Sequence, residues 1–147
     1  MSNGTRPRLV GINHVALEVG DLEEALRFWG ELFDLSVSRE PGMAFIDLGD
    51  QFLALSEGGA GDPQSPRHFG LVVDDKEAVR ARLRQLGVEV SAGRRLNFRD
   101  PWGNLIQVVE YGQIQFTKAE PILRGMGLDG LAKTPEAEAE LAQKGLT

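Results

Sequence analysis

Apolar and polar positions alternate along 10–19, a β-rich stretch that predicts a strand. Asp21 follows as a helix N-cap, with Glu24 three residues on as its capping-box partner. Leu22, Ala25, Leu26, Trp29, Leu32 and Phe33 then recur at helical spacing, which predicts a helix with Trp29 and Phe33 in its core-facing stripe. Two shorter strands surround a turn at 48–51. The pattern then begins again. A strand is predicted at 69–73 and an N-cap at Asp75. Val79, Leu83 and Leu86 stripe a helix that Gly87 ends. The chain extends at 88–90, and a turn at 100–104 leads into a last strand at 105–111. Each half reads β-α-β-β-β.

The two halves also match residue by residue. With His14 placed on His68, HVALEVGDLEEAL lies on HFGLVVDDKEAVR at an offset of 54. Further on the offset becomes 53: Phe45 meets Phe98, Asp47 meets Asp100, and Glu57 meets Glu110. Residues 1–112 therefore read as one α+β domain of two modules, about 8–57 and 66–111, joined by a Gly/Pro/Ser-containing linker at 58–66. Residues 113–147 form a C-terminal extension with one or two short helices. One is expected near 119–126. The other spans 136–144, opened by Thr134 and Pro135 and closed by Gly145. Ala137 and Leu141 are nearly all of its apolar side, so a surface helix or an arm on a neighbouring subunit is expected.

Composition narrows the chemistry. The net charge is −6 over 147 residues with no basic run, which argues against nucleic acid and against an anionic membrane surface. Cysteine is absent, which excludes disulfides, thiolate metal sites and cysteine nucleophiles. Only two histidines are present, so a three-histidine metal site is excluded as well. Residues 1–8 are polar with no apolar stretch behind them, and no apolar run nears the ~20 residues that span a bilayer. A cytoplasmic protein is expected.

Two β-α-β-β-β units, a histidine in the first strand of each, and FRDPWGN before the last strand resemble the vicinal oxygen chelate superfamily, the group of glyoxalases, extradiol dioxygenases and bleomycin-resistance proteins. INHVALEVGDLEEALRFW and NFRDPWGNLIQVVEY carry the resemblance, which covers about 8–111. It implies eight strands in an open U-shaped barrel around a small-molecule cleft, and a homodimer. It also implies a divalent metal held from the first and fourth strand of each unit, with no organic cofactor. By position the ligands are His14 and Ala54, then His68 and Gln107. Metal-binding members usually carry Glu at the position of Gln107, and often Glu or Gln at that of Ala54.

Alternation along a strand gives the same picture independently. Val15, Leu17 and Val19 share one face, as do Phe69, Leu71 and Val73, and these faces should lie under the helices. His14 and His68 then point the other way, each with a small neighbour, Ala16 or Gly70, that leaves room beside the ring. In the last strand Leu105, Gln107 and Val109 should face the cleft, with Ile106, Val108 and Glu110 outside, so Gln107 and not Glu110 is the expected third ligand. His14, His68 and Gln107 are all neutral. Such a set suits a substrate that brings its own negative charge, with Zn, Fe, Mn, Ni and Co equally open. The resemblance implies that glyoxalase I chemistry needs a carboxylate base in the cleft; Ala54 and Gln107 remove both customary candidates, so that activity is not expected. Two readings stay open: a metal-dependent lyase, isomerase or transferase acting on a small anionic oxygenated molecule, or a metal-free protein that sequesters a small molecule. Trp102 is expected to pack on its own hairpin, Gly103 to serve the turn, and Arg94, Arg95 and Arg99 to form a solvated positive face.

Overall fold

The computed structural model describes residues 6–58 and 67–147; the first five residues, and all of the expected linker except Gly58, lie outside the described residues. The first module contributes β1 (Leu9–Val19), α1 (Leu22–Leu32), β2 (Val37–Glu40), β3 (Met43–Asp47) and β4 (Phe52–Glu57). The second contributes β5 (His68–Val73), α2 (Lys76–Gln85), β6 (Leu96–Arg99) and β7 (Leu105–Glu110). All seven strands form one mixed sheet in the order β2-β3-β4-β1-β5-β7-β6, which does not close into a barrel. Within each module the first and last strands pair in parallel, β1 with β4 and β5 with β7; the modules join through the antiparallel pair β1–β5. The expected eighth strand at 88–90 reduces to one bridge between Val90 and Phe98. Ser91 turns the chain there, its hydroxyl donating to the Arg95 carbonyl (2.9 Å) and accepting from the Asn97 N–H (3.1 Å).

Both helices lie on one side of the sheet. Leu22, Ala25, Leu26 and Trp29 of α1 pack on Leu17, Val19, Ala44, Ile46 and Leu55. Val79 and Leu83 of α2 pack on Phe69, Leu71, Val73, Ile106 and Val108. Leu32 and Phe33 leave the expected stripe and are exposed, because α1 ends at Leu32 and Phe33 is already extended. Val15 is likewise exposed, between the two helices. Trp102 stands free of its hairpin at 83% exposure, while Gly103 takes the expected positive φ of 87°.

The register corrects part of the internal alignment. Phe45 lies opposite Ala54, but the residue opposite Gln107 is Asn97, and Phe98 pairs with Ile106 on the helix side. The turn at 100–104 is one residue longer than that at 48–51, so β6 slips by one against β7, and a one-residue slip moves every side chain to the other face. Glu57 and Glu110 remain equivalent, and their shared role is local. Glu57 accepts from the Leu22 backbone N–H and Glu110 from that of Lys76, each at 2.8 Å. Asp21 and Asp75 take the Glu24 and Ala78 N–H groups as caps. Two carboxylates thus neutralise the amides that open each helix.

The C-terminal extension is docked on its own chain. A 3-10 turn at Tyr111–Gln113, α3 (Glu120–Gly125) and α4 (Pro135–Gln143) follow the sheet. Tyr111, Phe116, Leu123 and Leu128 bury themselves against Val10 and Val72, on the side of the sheet away from the helices. A Cβ on Gly11 would fall 2.6 Å from the Phe116 ring, so glycine admits this contact. Lys133 donates to the carbonyls of Tyr111 and Phe116 and sits 3.5 Å from the centre of the Tyr111 ring. Burial pushes its ammonium down from 10.5 to about 8, with Asp50 opposing. The two apolar residues of α4, Ala137 and Leu141, are buried, so they serve this docking rather than a free arm.

Glu110→Ala should lower unfolding stability by about 0.5–2 kcal/mol, the usual worth of a side chain that caps a helix start. Urea denaturation would show this as a lower midpoint at unchanged slope.

Candidate functional site

The site lies where β1 and β5 cross the pseudo-twofold axis relating the modules. Their register pairs His14 with Gly70 and Ala16 with His68, an arrangement that the twofold maps onto itself. The histidines are therefore diagonal neighbours on one face, the helix-free one. Their Nε2 atoms are 3.0 Å apart, with the rings nearly perpendicular at 84°. Gln107 is opposite Gly70 on the far side of β5, completing a row that runs His14, Gly70, Gln107, Asn97 across four strands. Ala54 lies opposite Ala16, buried and without a donor atom. Glu110 is not in this row; it faces the α2 N-terminus.

The space expected beside the rings is taken by the rings themselves. A Cβ on Gly70 would lie 2.2 Å from both His14 Nδ1 and Asn13 Oδ1. Any larger residue there would drive His14 out of position. Phe52, opposite His14 on β4, stacks on the imidazole with ring centres 4.5 Å apart and planes within 5°. The register of β1 shifts between Ile12 and His14, and this bulge turns Asn13 inward as well, so that Asn13 and His14 are consecutive yet both buried. Strict alternation had no place for Asn13. The bulge is the physical reason it was missed.

Asn13 decides the state of His14. Its Oδ1 is 2.9 Å from His14 Nδ1. An amide oxygen only accepts, so Nδ1 carries the proton and Nε2 presents a lone pair. His68 Nε2 donates to that lone pair. The His14 imidazole is pushed from 6.5 down to about 4, by burial first and by His68 next, with the Gln107 side chain opposing and Arg95 adding to the lowering. His14 is thus neutral at physiological pH. Arg95 is exposed as expected, but its charge reaches the site. Asn97 Oδ1, at the end of the row, is buried without a hydrogen-bond partner among the described residues. The slip of β6 hid this residue from the internal alignment, which had put Phe98 in its place.

The geometry fits a metal ion in two respects. Two nitrogens bound at about 2.0–2.1 Å with an angle of about 90–110° between them are themselves about 2.9–3.4 Å apart. The tautomer fixed by Asn13 presents the His14 Nε2 lone pair, and His68 would ligate through Nε2 once its proton moves to Nδ1. The donor set is uncharged, and among the described residues no three His, Cys, Asp or Glu side chains gather to share an ion.

The family and the fold are shared with known proteins. The family model described as Glyoxalase/Bleomycin resistance protein/Dioxygenase superfamily matches residues 11–108. The chain is 31% identical over 113 residues to "Glutathione transferase FosA" of Serratia marcescens, covering 68% of this chain and 80% of that protein. Methylmalonyl-CoA epimerase of Streptomyces coelicolor, in complex with 2-nitronate-propionyl-CoA, superposes with a TM-score of 0.53 at 18% identity, over 72% of this chain and all of its own. A glyoxalase/bleomycin resistance protein/dioxygenase superfamily member from Vibrio splendidus gives 0.51 at 16% identity, over 71% of this chain and 98% of its own. The last two likenesses are of fold.

The lowered imidazole makes stability depend on acid. Between about 4 and 6.5 the unfolded chain binds a proton at His14 that the folded chain does not. Stability should therefore be complete above about 6.5 and fall as the pH drops towards 4, by up to about 1.4 kcal/mol per pH unit. Urea midpoints measured with a chelator at pH 7, 5.5 and 4.5 would give this slope, and His14→Gln should flatten it.

Proposed function

Because this chain belongs to the Glyoxalase/Bleomycin resistance protein/Dioxygenase superfamily, we propose that it acts on a small anionic oxygenated molecule as a lyase, isomerase or transferase, with His14, His68 and Gln107 holding a divalent ion. The observation that carries this reading is the pair of Nε2 atoms meeting at 3.0 Å on the twofold axis. A divalent ion bound there supplies Lewis acidity to an oxygen of the substrate. Asn13 keeps His14 in the tautomer that can ligate. All three donors are neutral, so the charge of the site is balanced by the substrate, and Arg95 adds attraction for an anion. Ala54 and Gln107 remove the two customary positions for a carboxylate base, which counts against glyoxalase I chemistry. The likeness to a glutathione transferase favours transfer among the three reaction types.

A second reading, metal-free sequestration of a small molecule, is favoured by the direct His68-to-His14 hydrogen bond, which lets the two imidazoles pair with each other. Either reading suits a cytoplasmic protein, and among the described residues no helix is long and apolar enough to cross a membrane. A homodimer is supported by Leu9, Ile12 and Val15, which form an exposed apolar stripe along the central strand, and by exposed Phe28, Leu32 and Phe33 of α1. Sedimentation equilibrium should give twice the chain mass, and Ile12→Glu should shift the protein towards monomer.

Metal titration by calorimetry, on protein purified without a chelating tag, tests the site. His14→Ala and His68→Ala should each abolish binding of Mn(II) or Zn(II). Gln107→Glu should tighten it roughly tenfold or more by adding an anionic ligand. Glu110→Gln should leave it unchanged. No binding by the wild type, with ligand capture indifferent to a chelator, would replace the enzyme by the sequestering protein.

A further inference from the structure

Beside the histidine pair lies a separate cavity of about 830 Å³, within the size range of small-molecule sites. Neither histidine lines it. It meets them only through Asn13 and Phe52, which border the cavity and also touch His14. One wall comes from β2, β3 and the turn before β4. The other comes from the C-terminal extension, through Gln113, Ile114, Gln115, Glu140 and Lys144. These residues lie beyond residue 108, where the family match ends, so this wall belongs to the chain's own extension and not to the shared scaffold.

The lining has a strong sign. Four carboxylates border the cavity, from Glu40, Asp47, Asp50 and Glu140, against one cation, Lys144. That cation is committed: its ammonium is 3.1 Å from Asp47 Oδ1 and donates to the Gly49 carbonyl at 2.8 Å. Asp50 accepts from the Thr117 backbone N–H. Glu40 and Glu140 have no ion-pair partner among the described residues. Phe45 and Phe52 add two rings in edge contact, 5.9 Å apart; aromatic faces attract cations. Asn13 supplies an independent observation. The residue is only 7% exposed, its Oδ1 is taken by His14, and its Nδ2 donates to no described residue. That N–H₂ opens into the cavity and is placed to donate to an acceptor on whatever fills it.

We propose that this cavity binds a small organic cation that also carries an acceptor oxygen, its positive nitrogen near Glu40 and Glu140 over the two phenylalanine rings and its oxygen at Asn13. The site stands whether or not the histidines hold a metal. It is a specificity element that this chain builds from its own extension, next to the chemistry of the shared fold.

Two matched pairs of probes test this on the full-length wild-type protein with a chelator present. Choline is compared with 3,3-dimethyl-1-butanol, its uncharged isostere. Argininamide is compared with citrullinamide, which has one charge fewer. The cation of at least one pair should bind fivefold or more tighter than its partner, with the preference shrinking as salt is raised. Amide NMR signals of Asn13, Gln113 and Gln115 should shift on binding. Glu40→Gln combined with Glu140→Gln, both exposed positions, should remove most of the preference while leaving the fold intact by circular dichroism. His68→Ala, which abolishes the proposed metal site, should keep it. Equal binding within both pairs overturns the proposal. So does a cation preference that survives the double glutamine variant or vanishes in His68→Ala. The metal titration is a separate measurement, so either idea can fail alone.

Discussion

Everything at the centre of this molecule depends on the antiparallel pairing of β1 with β5. That contact joins two modules whose sequences match, and its register sets His14 and His68 diagonally across the axis. The same pairing makes Gly70 obligatory, since its missing Cβ is the volume in which the His14 ring sits. It also makes the cluster a property of the whole domain. The first module supplies only His14, and the second supplies His68 and Gln107, which share a face because β7 pairs in parallel with β5.

Much of the fold was legible because each local signal had one physical meaning. The strands, the Asp21 and Asp75 caps and the helical stripes as far as Trp29 and Leu83 fall where alternation and capping chemistry place them; Leu86, past the end of its helix, is exposed. The opposite facing of Gln107 and Glu110 followed from alternation in the same way. What alternation alone cannot see is an irregularity in register. The bulge in β1 brought Asn13 inside, and the extra residue in the 100–104 turn put Asn97 where Phe98 was expected. Both hidden residues are amides: Asn97 ends the polar row, and Asn13 hydrogen-bonds His14 at its other end. Exposed Phe33 and Trp102 show the converse limit: an aromatic residue at the right spacing is core only if the element continues and something lies above it.

The extension was the least legible part, since a helix with two apolar residues looks unable to dock. Docking here rests on more than helical amphipathicity. Phe116 enters the gap left by Gly11, Lys133 ties two carbonyls beneath it, and Lys144 reaches back to the turn after β3. The concave face thereby gains an end wall, and a scaffold shared with proteins of other chemistries acquires a surface of its own.

That end wall is also made after the sheet it closes. During synthesis at about 5–20 residues per second, the segment from 112 to 147 follows the finished sheet by about 2–7 s. Throughout that interval Val10 and Val72 have no cover, and Gly11 leaves an open slot between them. The nascent domain is therefore a folded sheet with an apolar breach, attractive to chaperones and to other nascent copies. The cavity beside the histidines closes only once Lys144 has left the ribosome.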